Sequence, residues 1–194
     1  MLRKILPITL ASMLMLQGCV GVLLAGSATG GAVVAKDRRT IDTQVDDERI
    51  ELNVGRSISN RTEIDRTSHI SVISLNGQVL LVGQTPHRKY SEEVEHMVRQ
   101  QDGVRHIYNE ITIGDPIGYD VRSNDSWLTS KVKTMLIAEK HFDSSHVKVV
   151  TENSQVYLLG MVTHKEGDLA VQIARNVSGV TRVIRAFEYV DAGS

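Results

Sequence analysis

The chain has 194 residues, 41% of them hydrophobic and 23% charged, with a formal net charge of -1. This composition suits one or two globular domains and excludes a disordered chain, and the near-neutral balance excludes a protein-wide field directed at nucleic acid or a charged surface. Aromatic residues are only 4%, with Trp127 the single tryptophan, so the cores must be built from Val, Ile and Leu.

Arg3 and Lys4 precede an uncharged apolar stretch from Ile5 to Leu16, followed by small residues around Cys19, which is signal-peptide architecture. Cys19 is the one cysteine, so no disulfide framework or thiolate metal cluster forms within a single chain. Leu16-Gln17-Gly18-Cys19 resembles the lipobox of bacterial lipoproteins, departing from it at Gln17, where Ala, Ser or Thr is commoner. The resemblance implies removal of residues 1–18, a diacylglycerol thioether on Cys19 and an acyl chain on its new amine. Val20, in place of Asp, implies sorting to the inner leaflet of the outer membrane, facing the periplasm. The same residues also admit an uncleaved signal anchor, since the uncharged run continues to Ala35, or a plain secreted protein. Residues 21–32, GVLLAGSATGGA, have tether composition, and a Gly-rich tether from about Val20 to Thr43 reaches roughly 25 to 30 Å.

Beyond the tether the chain repeats itself. Asn76, Gln78, Val79, Leu81 and Gly83 recur 77 residues on as Asn153, Gln155, Val156, Leu158 and Gly160. Ile50, Val54 and Ile58 correspond at an offset of 78 to Leu128, Val132 and Leu136, and Gly103-Val104 at an offset of 76 to Gly179-Val180. The boundaries expected are a leader at 1–18, the acylated cysteine and tether at 19–45, one domain at 46–114, a linker at 115–123 and a second domain at 124–191.

Each copy opens with apolar residues four apart after cap-capable Asp46-Asp47 or Asn124-Asp125, which predicts a helix. Alternating β-branched runs around Asn76-Gly77 and Asn153-Ser154 predict a hairpin. Gly83 and Gly160 are expected to close its second strand, where a missing Cβ permits a sharp exit or a close helix approach. A second helix is expected over His87–Gln101 and Lys165–Val177, and a last strand over Val104–Ile113 and Val180–Val190. The fold class is α+β: two tandem α-β-β-α-β units, each with two helices on a three-stranded mixed sheet.

This order resembles the BON domain, on the Gly closing the "QVxLxG" strand, the Gly-Val before the last strand, "TQVDD" (43–47), "VLLVGQ" (79–84), "YNEI" (108–111) and "SNDSW" (123–127). Two such domains behind a lipobox imply a non-enzymatic envelope protein. It would bind anionic phospholipid, phosphatidylglycerol or cardiolipin, and support outer-membrane integrity, with enrichment at the division site. The rival expectation is a protein-interaction scaffold for an envelope assembly such as the β-barrel insertion machinery.

For catalysis the sequence offers no constellation: no H-E-x-x-H, G-x-S-x-G, Walker or G-x-G-x-x-G pattern, and "GSATGG" (26–31) lacks a lysine and a preceding strand. His87 and His164, at matching places after a strand, suit capping or surface roles. The helix over about Asp125–Glu139 is more informative. At 100° per residue, Leu128, Val132, Met135 and Leu136 share the face expected to pack on the sheet. Trp127 and Ile137 point away from it, with Ser130 and Thr134 around them and Lys131 and Lys133 on the flanks. An outward indole beside lysines suits a membrane interface, and each lysine near an anionic surface is worth about 1 kcal/mol. At the matching places the first copy has Arg49, Leu52, Asn53, Arg56 and Ser59, a mostly polar and charged face. Three placements for Trp127 stand at this point: against lipid, against the other repeat across the short connector containing Pro116, or against neither, with Lys131 and Lys133 simply solvated. The family resemblance implies the lipid face, with Gly118, Tyr119 and Asp120 joining it.

Overall fold

A computed structural model describes residues 38–140 and 142–191. Cys19, the leader and most of the tether lie outside the described residues. The elements in chain order are α1 (Ile41–Ser59), α2 (Thr62–Thr67), β1 (His69–Leu75), β2 (Gln78–Thr85), α3 (Arg88–Arg99) and β3 (His106–Ile113), then α4 (Tyr119–Ala138), β4 (Val147–Glu152), β5 (Gln155–Val162), α5 (His164–Arg175) and β6 (Arg182–Tyr189). Each copy forms a three-stranded mixed sheet: a hairpin whose second strand is central and runs parallel to the strand that follows the crossover helix. The α+β expectation holds for both copies. The short α2 and a 3-10 turn at Ser144–His146 are additions that the repeat pattern did not show.

The two sheets stack on each other. Val79 and Leu81 turn toward the helices of the first copy, while Leu80 and Val82 join Ile73 and Leu75 against Tyr157, Leu159 and Ala186 of the second. Val156 and Leu158 face their own helices. Both central strands are therefore buried on both faces, which is why "VLLV" and "VYLL" run apolar without alternating. The layers are helices, sheet, sheet, helices, with α1 and α4 in opposite outer layers. Burial in this inter-sheet core pushes the Tyr157 hydroxyl up to about 12. A polar rim closes the seam: Gln84 Nε2 donates to Glu152 at 2.7 Å, Asn76 Nδ2 to Glu188 at 2.8 Å, and Lys148 Nζ to Glu51 at 3.0 Å.

Both first helices start earlier than expected. Thr40, whose hydroxyl accepts the Thr43 N–H, caps α1, and Gly118 stands at the cap of α4. Residues given to the tether and linker thus belong to helices. Asp47 and Asp125 sit well inside those helices and do a different job, because their buried carboxylates receive the hairpin turn. Asp47 accepts Asn76 N–H at 2.7 Å, Gly77 N–H at 2.9 Å and the Ser74 hydroxyl at 2.7 Å. Asp125 accepts Asn153 N–H at 2.8 Å and Ser154 N–H at 2.7 Å. Asp47 receives three hairpin donors beside the Arg39 guanidinium and Asp125 receives two, and the lost hydration of a buried carboxylate is offset only when donors converge like this.

Gly83 and Gly160 are inside their strands, not at an exit, and what crowds them is the neighbouring strand's backbone. A Cβ on Gly83 would lie 1.9 Å from the His69 carbonyl oxygen, and one on Gly160 2.2 Å from that of His146.

Candidate lipid-facing surface on α4

The position of α4 is fixed by its inner face. Leu128, Val132 and Leu136 are buried in the second core, Asp125 grips the hairpin turn, and the Thr129 hydroxyl donates to Thr151 on β4 at 2.8 Å. Anchored along its length, the helix presents its opposite face rigidly to solvent.

Tyr119 and Ile137 fall on one line of that outer face, about five turns apart, and Trp127 lies beside the line between them. Their exposures are 80%, 69% and 55%. Trp127 belongs to none of the buried clusters formed by the described residues. Instead the Lys131 ammonium lies 4.6 Å from the centre of its ring, a cation–π contact. Ser130, Thr134 and Lys133 are exposed between and beside these residues, so seven of the expected positions share one surface. Gly118 and Asp120 are at its edge with helix-starting roles: Gly118 is the extended cap residue and Asp120 the acid of the first turn, a favourable place for negative charge.

The hydroxyls on this face are turned inward. Ser126 donates to the Arg122 carbonyl at 3.0 Å, Ser130 to Ser126 at 3.0 Å and Thr134 to Ser130 at 2.9 Å. This four-residue ladder spends each donor within the helix, so the stripe can leave water without orphaning a hydroxyl proton. From Ser126 to Ala138 the helix carries no acid at all. Over its whole length α4 has Asp120 and Asp125 against Arg122, Lys131 and Lys133, whereas α1 has Asp42, Asp46, Asp47, Glu48 and Glu51 against Arg49 and Arg56. Equivalent helices of one fold therefore carry opposite charge.

Two expectations need correcting. Met135, placed on the packed face, is 51% exposed, because it lies at the margin of the buried stripe, over a groove between α4 and α5. The outer face of α1 is also less polar than expected, since Ile41, Val45 and Leu52 are exposed there. Of the two histidines, His87 caps α3 by position and meets Tyr90 edge-on at 5.3 Å, while His164 stacks on Tyr189 at 4.1 Å. Among the described residues no His, Cys, Asp and Glu cluster could hold a metal, and no helix is long and apolar enough to cross a membrane.

The BON domain family model matches residues 46–115 and again residues 124–191. The chain belongs to the BON-domain family. It is similar to Outer membrane lipoprotein DolP of Haemophilus influenzae (strain ATCC 51907 / DSM 11121 / KW20 / Rd), with 38% identity over 97% of both chains. A 21 kDa hemolysin of Actinobacillus pleuropneumoniae is 40% identical over 79% of both chains. Osmotically-inducible protein Y of Escherichia coli (strain K12) is 28% identical, with 80% of this chain and 78% of that one aligned. Both BON matches begin after the helices do, since α1 starts at Ile41 and α4 at Tyr119. The exposed Ile41 and Tyr119 thus occupy equivalent helical starts just before each matched BON segment.

Proposed function

We propose that this BON-domain chain is a non-enzymatic lipoprotein of the outer membrane, held in the inner leaflet through acylated Cys19, that binds anionic phospholipid with the outer face of α4 and so supports membrane integrity. The similarity to an outer-membrane lipoprotein over 97% of both chains supports the location. The observation that carries the lipid reading is the α4 face itself: Tyr119, Trp127 and Ile137 exposed on one side, three bases nearby, no acid from Ser126 to Ala138, and hydroxyls already satisfied. Trp and Tyr favour the headgroup depth of a bilayer, and three basic residues contribute about 3 kcal/mol at an anionic surface. Because the acyl anchor already supplies attachment, α4 acts as a selector, sampling phosphatidylglycerol or cardiolipin at high local concentration and concentrating the protein where these are enriched, as at a division site.

Co-sedimentation with vesicles tests this. Binding to anionic vesicles and not to zwitterionic ones, lost in Trp127→Glu, is expected; equal binding to both, or no loss in the variant, refutes it.

One observation favours a second reading, a scaffold for a protein partner such as the β-barrel insertion machinery. Leu52 on α1 is exposed over Gly55, Ile70 and Val72 with the acidic Glu48 beside it, while Glu51 at its edge is paired with Lys148, a surface suited to an apolar segment with a basic flank. Under that reading Leu52→Glu abolishes a crosslink to the partner and leaves vesicle binding unchanged.

A further inference from the structure

Beside the α4 stripe lies a groove of about 460 Å³ between α4 and α5, lined by Lys131, Met135, Ala138, Glu139, Ile173 and Val177, with Asn176 and Ser178 at its edge. The first copy provides a control for what this cleft is when the fold alone decides it. There Asn53 Nδ2 donates to Gln101 Oε1 at 3.2 Å, Gln101 Nε2 donates to the Met97 carbonyl at 3.2 Å, and the Ser57 hydroxyl donates to the Asn53 carbonyl at 2.9 Å. The cleft is bridged by paired amides from α1 to the turn that follows α3. At the equivalent places the second copy substitutes Lys131 for Asn53, Met135 for Ser57, Ala138 for Asn60 and Val177 for Gln101, and Ile173 stands where Met97 does. Three polar wall residues have become apolar and the fourth, Asn53, has become the cation Lys131, so the amide bridge is gone and a methionine is left half exposed over the opening. A fold that only needed to close its helix pair has a polar solution in the first copy, so the open apolar version calls for an occupant.

The charges indicate which one. Lys131 is common to the groove and the outer stripe, where its ammonium sits over Trp127. Glu139 is at the other end, about 12 Å along the helix. An elongated apolar ligand with an anionic head therefore fits in one direction only, its head at Lys131 and away from Glu139. We propose that the groove takes one acyl chain of a membrane phospholipid, with the phosphate on Lys131 and the methylenes along Met135, Ala138, Ile173 and Val177. This rests on the reading of α4 as the lipid-facing helix and adds a single-chain site to it. Drawing a chain out of the leaflet exchanges one apolar environment for another, so the discrimination comes from Lys131 and from the shape of the groove.

The test uses the full chain reconstituted in phosphatidylglycerol bilayer discs carrying lipid with a nitroxide either at mid-chain or on the headgroup, read by methyl NMR. Greater loss of the Ile173 and Val177 methyl signals with the mid-chain nitroxide than with the headgroup nitroxide is expected, together with recovery of those signals in Ala138→Trp, which fills the groove from an exposed position. If the bulky variant misfolds, Val177→Gln, which imports the residue of the first copy, gives the same recovery read at Ile173 alone. Intact Ile173 and Val177 signals while Trp127 is quenched by lipid overturn the groove and leave the α4 reading standing; no quenching of Trp127 overturns both. Changes at Ile173 and Val177 that grow with protein concentration in the absence of lipid overturn it in favour of a second copy.

Discussion

The Asp125 carboxylate accepts the backbone N–H of Ser154 at 2.7 Å, and Ser154 sits at φ +62, a left-handed conformation that a serine adopts only under compulsion. In the first copy the same turn has Asn76-Gly77, with Gly77 at φ +72 held by Asp47. The second copy keeps the turn without the glycine, and the helix-borne carboxylate compensates. Ser154→Gly is expected to stabilise the fold by about 1 kcal/mol and Asp125→Ala to destabilise it by about 3 kcal/mol, measured by urea denaturation. A neutral Asp125→Ala would show that the turn stands alone.

Gly83 tolerates no side chain for a different reason, which is the approach of the β1 backbone to β2. Gly83→Ala would force His69 and Ile70 away and break the ladder at its edge, an expected loss of about 3 kcal/mol. Gly160→Ala should behave alike in the second sheet. Amide hydrogen exchange along β1 in the first variant and along β4 in the second checks this; unchanged protection there contradicts it.

Arg38 clamps the start of the described chain to the second domain, donating to Glu166 at 2.9 and 3.2 Å and to the Met161 carbonyl at 2.8 Å, while the adjacent Arg39 bonds Asp47 of the first. Burial opposes ionisation of Glu166, but the Arg38 guanidinium and the Thr163 donors outweigh it and hold the carboxyl at about 2. A lowered folded-state value means the clamp contributes stability that is complete above the ordinary value of 4.5 and is lost as pH falls through about 2. Arg38→Gln is expected to raise the Glu166 titration, followed by carboxyl-carbon NMR, and to let the segment before α1 detach at a higher pH. An unmoved Glu166 titration contradicts the clamp.

Ser130 distinguishes a satisfied hydroxyl from a functional one. Because it already donates to Ser126, Ser130→Ala is expected to leave vesicle affinity within about twofold, whereas Lys131→Gln with Lys133→Gln removes about 2 kcal/mol, roughly thirtyfold, for anionic vesicles alone. A large effect of the alanine would assign the hydroxyl a headgroup contact.

The repeat made most of the fold legible, because a domain written twice confirms each of its own strands and helices. The stacking of the two sheets was not foreseen: the runs around each hairpin turn suggest alternation, whereas "VLLV" and "VYLL" within β2 and β5 are buried on both faces. The starts of α1 and α4 were not legible either, since Ile41 and Tyr119 are exposed and give no periodic signal, and Asp47 and Asp125 mimic caps in helices whose true caps lie seven residues earlier. The outward direction of Trp127 followed from its phase against Leu128, Val132 and Leu136. Met135 was misplaced because a wheel gives an angle and not the neighbour at that angle. The Asn53–Gln101 bridge and its absence in the second copy required the helix pairs to be seen together.

Trp127 is the single tryptophan of the chain, so its fluorescence reports the central claim without labelling. On adding phosphatidylglycerol vesicles, and not phosphatidylcholine vesicles, its emission should shift to the blue and become quenchable by nitroxide lipid. An emission spectrum unchanged by anionic vesicles under conditions where the protein is membrane-bound would contradict α4 as the lipid-reading face.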